Sequence, residues 1–184
     1  MTKQEILAQY NNQALQAAIA YSKTKDYLSY VADTFHSEYE KLDRRDLLDA
    51  AVRNITSAYV DTVLFGMYPT ICEVINNRQP SEDILTAWKE SYMGILGNLH
   101  AYTYNKQNCD WVDLRTSLEK LPAEYYRDVL RRKCTPSKRD YKTESAWKAA
   151  ITKAYNRKAP IIEQFALNRN AFIAFIGDLS KYVS

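Results

Sequence analysis

Glycine and proline are scarce in this chain: four of the first and five of the second in 184 residues. An all-β architecture needs turn-forming residues every few positions, so that class is excluded. Cysteine is also rare. Cys72, Cys109 and Cys134 lie far apart, and no two of them have metal-ligand spacing. They do not form a disulfide framework or a zinc motif, and they fit reduced thiols in a cytoplasmic protein. No apolar run approaches the ~18 residues that would span a bilayer. The most apolar tract, 171–176, is far shorter, so no membrane partner is expected. The N-terminus is polar and lacks the apolar segment of a signal peptide.

Catalytic signals are missing as well. The two histidines, His36 and His100, are distant from each other. The sequence contains no HExxH, no CxxC, no Walker-type glycine loop and no Gly-x-Ser-x-Gly elbow. Asp43, Asp46 and Asp49 alternate with Arg44 and Arg45, which suits the start of a helix better than a metal site. Cys134 sits beside Lys133, whose charge favours a thiolate, but no histidine accompanies it. No catalytic residue, metal or cofactor is therefore expected, and no motif selects a helical nuclease over plain binding.

What the chain does have is helical periodicity. Thr2 and Glu5 form a capping box, and behind it Ile6, Tyr10, Ala14, Ala17 and Tyr21 recur on one face of a helix over about 3–22. Asp26 is a candidate cap for a second helix carrying Leu28, Val31, Phe35 and Tyr39. Asp43 caps a third, with Leu47, Ala51, Ile55, Tyr59 and Val63 in its stripe. Pro69 is expected to break or kink that helix and to push Tyr68 out of helical geometry. Ser81 caps a long helix bearing Trp88, Tyr92, Ile95 and Leu99. Gly94 and Gly97 mark a close approach by another element. Asn105–Asn108 is a turn, and Asp110, Pro122 and Thr143 start further helices. The helix begun by Thr143 carries Trp147, Ala150, Ile151 and Ala154 inward. Pro160 is expected to open a last helix with Arg169 on its apolar face, so that either the helix breaks near 168–170 or Arg169 finds an acid or backbone carbonyls. The result is an all-α fold, a compact helical bundle of about eight helices. It forms a single helical domain over 1–184, with two lobes, 1–104 and 110–184, as the alternative.

Charge divides the chain unevenly. Residues 126–158 hold eleven Lys/Arg against three acids, whereas 1–125 hold seventeen acids against twelve cations. Such asymmetry points to a polyanionic or acidic partner. The candidate nucleic-acid contacts are Arg127, Arg131, Arg132, Lys133, Lys138, Arg139, Tyr141, Lys142, Lys148, Lys153, Arg157 and Lys158. Arg127 and Arg131, one helical turn apart, would offer two parallel guanidiniums to phosphate, while Arg132 would pair with Asp128. Tyr141, with Tyr126, would stack on unpaired bases. The fifteen tyrosines otherwise suit half-buried helix seams. The sequence thus predicts a non-enzymatic nucleic-acid-binding accessory protein, for DNA or RNA, that uses a basic helix-loop-helix region. The alternative is a protein–protein adaptor or inhibitor binding an acidic surface, or a self-assembling homo-oligomeric subunit of a viral or nucleoprotein assembly.

Overall fold

A computed structural model describes residues 1–165, 169–179, 181 and 183. Helices account for nearly all of the ordered backbone, and among the described residues there is no strand. In chain order they are α1 (Lys3–Ser22), α2 (Lys25–Val31), α3 (Ser37–Tyr39), α4 (Arg44–Asp61), α5 (Tyr68–Ile75), α6 (Glu82–Tyr104), α7 (Trp111–Lys120), α8 (Ala123–Lys133), α9 (Glu144–Phe165) and α10 (Arg169–Leu179). Short π-helical turns, Ala32–His36 and Thr62–Met67, join α2 to α3 and α4 to α5 without a break.

Local chemistry sets most of the helix starts. The Thr2–Glu5 capping box is present in both directions. Asp43, Ser81, Asp110 and Thr143 accept amide hydrogen bonds from the first turns of α4, α6, α7 and α9. The cap of α2 is Thr24, whose hydroxyl accepts from the Tyr27 amide; Asp26 instead sits in the first turn. A hydroxyl two residues earlier takes the capping role, and the Asp26 carboxylate complements the dipole from inside.

Neither interior proline acts as a break. Tyr68 is fully helical, at φ −58 and ψ −49, and the helix passes through Pro69. The wider π-turn just before it relieves the proline's usual conflict, and the Thr70 hydroxyl donates to the Gly66 carbonyl at 2.9 Å. Pro160 lies inside α9 instead of opening a new helix. Both Pro160 and Asn156, whose carbonyl loses its amide partner, are exposed, so that carbonyl is open to solvent and the lost bond costs less than it would in a buried helix. The backbone is described again from Arg169, where α10 begins, whereas residue 168, on which the expected break near 168–170 also falls, and the Arg169 side chain lie outside the described residues.

The core is organised around α6, which packs against α1, α4 and both π-turns. Trp88, Tyr92, Ile95, Leu96, Leu99 and Tyr102 along it are fully buried. The close approach holds at Gly97, where a methyl would meet the Phe35 ring at 2.7 Å, but not at Gly94, where it would meet Ala58 at an ordinary 3.7 Å. One buried cluster extends from Ala14 in α1 to Phe172 and Ile176 in α10. Tyrosines form much of it, and several direct the hydroxyl to a partner. Tyr27 donates to the Met93 carbonyl, Tyr39 to Asn98 Oδ1 and Tyr102 to the Asp110 carbonyl. Asn105 closes the end of α6 by donating to the carbonyls of Tyr39, Glu40 and Leu42. Among the described residues no helix is long and apolar enough to cross a membrane.

Candidate nucleic-acid interface

Helix α8 carries the first part of the basic segment. Glu124 in its first turn and Arg131, Arg132 and Lys133 in its last turn match the helix dipole at each end. Tyr126, Val129 and Leu130 face the core and fix the rotation of the helix. The next segment folds back onto α9. Trp147 Nε1 donates to the Pro136 carbonyl at 2.8 Å, and the Lys138 ammonium lies 5.2 Å above the Trp147 ring. A short 3₁₀ turn, Lys138–Asp140, precedes Tyr141, which is half-buried, and the exposed Lys142. The loop is thereby held in place by one aromatic residue of the following helix.

Four of the segment's cations are engaged by carboxylates. Arg127 donates to Glu163 at 2.7 Å and to Glu124 at 2.5 Å, and the two acids, Glu163 foremost, hold its pKa above the ordinary value. Arg131 pairs with Asp128 at 3.3 Å and lies 4.7 Å over the Tyr155 ring. Lys133 reaches Asp61 at 2.7 Å, and Lys148 reaches Glu144 at 3.3 Å. The expected acid-free clamp of Arg127 and Arg131 is therefore absent. Their long side chains reach acids one helical turn away and, for Arg127, one on α9. Asp128 takes Arg131, three residues on, instead of Arg132.

Seven cations keep their charge uncompensated: Arg132, Lys138, Arg139, Lys142, Lys153, Arg157 and Lys158 have no carboxylate partner among the described residues. Lys158 lies 5.6 Å above the Tyr68 ring, and Arg157 is close enough to the Tyr68 hydroxyl to favour its ionised form, though burial outweighs this. Aromatic seating orients these cations without neutralising them. Tyr126, by contrast, is buried in the core at 4% exposure, against the Tyr59 and Phe172 rings, and has no face for a base. Trp147, Ala150, Ile151 and Ala154 are only half-covered, because the first part of α9 packs lightly against α5 and α8. The Cys134 thiol is pushed up by burial, and the nearby Lys158 offsets this only in part. It is accordingly not an activated nucleophile.

Two residues escaped the reading of the basic segment. Arg53 on α4 and Lys120 at the end of α7 belong to the acidic part of the chain, yet neither has a carboxylate partner among the described residues. Arg53 lines a cavity of about 340 Å³ together with Asn54, Ser57, Tyr125, Val129, Arg132 and Lys133. Among the described residues no group of three or more His, Cys, Asp or Glu side chains gathers as metal ligands would. Comparison with protein-family models, curated proteins and solved structures gives no match, so function must be argued from the residues themselves.

Proposed function

We propose that this chain is a non-enzymatic, cytoplasmic nucleic-acid-binding accessory protein that contacts phosphates through α8, the turn after it and α9 as far as Lys158. The observation that carries this reading is the set of seven cations left without a carboxylate. A solvated helix face usually mixes both signs, whereas an uncompensated cluster attracts a polyanion and releases its counterions on binding. Lys142 adjoins Tyr141, and Arg139 precedes it by two residues across Asp140, which gives the turn a ring near two cations and one acid. The three free thiols are in keeping with a reducing compartment.

Fluorescence anisotropy with single- and double-stranded DNA and RNA across a salt series tests the proposal. Binding through about five phosphates gives a log–log salt slope of roughly −4 to −5 on duplex. Charge reversal at Arg139, Lys142 and Lys153 should weaken binding regardless of sequence. Absence of binding to all four ligands at low salt overturns the reading. A second reading, head-to-tail self-association, draws on the acidic excess of residues 1–125. Light scattering that shows a monomer at every salt and protein concentration removes it.

A further inference from the structure

We propose that the cleft between α4 and α8 seats a single strand of nucleic acid, with a phosphate held between Arg53 and Arg132 and a base against Tyr125. This rests on the nucleic-acid-binding reading and adds a site to it. Each wall of the cleft is one helical stripe. On α4, Arg53 and Ser57 are spaced i, i+4; on α8, Tyr125, Val129, Arg132 and Lys133 are spaced i, i+4, i+7 and i+8. The packing of α4 on α8 brings the two stripes face to face across about 340 Å³. A second hollow of about 400 Å³, lined in part by Lys120 and Leu121, shares both Arg53 and Tyr125 with the first. The two hollows therefore adjoin, with one guanidinium and one aromatic ring at the boundary between them.

The chemistry suits a phosphodiester strand. Arg53 and Arg132 are exposed and have no carboxylate partner among the described residues, so each planar fork is available for phosphate oxygens. Lys133 is held by Asp61 and adds only local potential, and Asp49 is the one acid lining the second hollow. The Tyr125 ring is half-buried, so its outer face is supported from behind. Hollows of this size, within the roughly 300–1,000 Å³ range of ligand clefts, have room for an unstacked base, and stacking on Tyr125 needs a base face that a duplex keeps covered. Arg132 belongs both to this cleft and to the uncompensated set described above.

Anisotropy with a fluorescein-labelled fifteen-nucleotide oligothymidine and a matching duplex tests the site. Arg53→Ala should weaken oligothymidine binding about tenfold and make the salt slope shallower by about 0.7. Tyr125→Leu, which leaves net charge unchanged, should weaken it roughly five- to hundredfold. Arg45→Ala, on the same helix but outside the cleft, should bind as wild type. Arg53 is exposed, so its variant keeps the test decisive should Tyr125→Leu not fold. Wild-type affinity in both cleft variants, alongside weakened binding in Arg139→Ala, overturns the cleft and leaves the broader reading standing. Equal losses on duplex and single strand overturn the single-strand assignment, and a wild-type protein that binds neither ligand overturns both proposals.

Discussion

Replacing Gly66 by alanine should destabilise the protein, although alanine is the better helix former. A methyl built at Gly66 falls 2.3 Å from Cγ and Cδ1 of Trp88 and 2.8 Å from its Cβ. Trp88 is fully buried and stacks on Tyr92, with ring centroids 6.3 Å apart. A cavity of about 330 Å³ borders Trp88, but rotating the indole into it gives no full relief, because Cβ is fixed by the backbone of α6 and already lies 2.8 Å from the added methyl. The π-turn or α6 must move instead. Overpacking of this kind costs about 1–3 kcal/mol or more, against a helix-propensity gain of at most about 1 kcal/mol. The net loss should lower the melting temperature by a few degrees, at about 2–4 °C per kcal/mol for a chain of this size. Gly94→Ala is the matched control. Its methyl would meet Ala58 at an ordinary 3.7 Å, so it should stabilise by about 0.5–1 kcal/mol. Urea and thermal melts followed by circular dichroism read both. In the Gly66→Ala/Trp88→Leu double variant the alanine penalty should largely vanish, with a coupling of about 1 kcal/mol or more. A Gly66→Ala protein as stable as wild type would refute the packing argument.

Three further outcomes follow from other parts of the core. Asn105→Ala strips one buried amide from three backbone carbonyls and should cost about 1–3 kcal/mol, with hydrogen exchange accelerating first around 39–42; unchanged exchange there contradicts the role given to Asn105. Burial, with His36 second, holds the His100 imidazole below its ordinary value, so it is neutral in the fold. The unfolded chain then binds the extra proton, and stability should fall as pH drops below about 6.5. His100→Gln should flatten the urea midpoint between pH 7.5 and 6; a slope that survives it assigns the effect elsewhere. Burial pushes Tyr39 up to about 12 and Tyr27, Tyr59 and Tyr92 higher still. Because these phenols ionise more readily in the unfolded chain, stability should decline as pH rises above about 10. Absorbance at 295 nm should show a late step coincident with loss of helical signal, and a smooth titration of all fifteen tyrosines would contradict their burial.

The helix starts were legible because a cap is decided within four residues: Thr2, Asp43, Ser81, Asp110 and Thr143 all act locally. Two π-turns were not. Their neighbours come from distant sequence, where Trp88 lies against Gly66 and the Phe35 ring against Gly97. The proline rules misjudged Pro69 and Pro160 because a π-turn precedes the first and the second leaves its orphaned carbonyl on an exposed face. At the interface the excess of cations was plain in the sequence, but their pairing was not. Glu163 lies 36 residues from Arg127, and no spacing rule joins them. Arg53 was hidden because it sits among acids, and its relation to Arg132 exists only once α4 lies on α8.

The π-turn Thr62–Met67 carries a consequence for chain length. Widening one turn inserts a residue into the α register, and each residue rotates a helix by about 100°. Everything from Tyr68 to Ile75 is therefore phased by that single insertion, including Ile71 and Val74, which close over Leu7. Deleting one residue between 62 and 67 would leave a more regular helix, yet it would swing this apolar pair away from α1. At this point the number of residues matters as much as their identity.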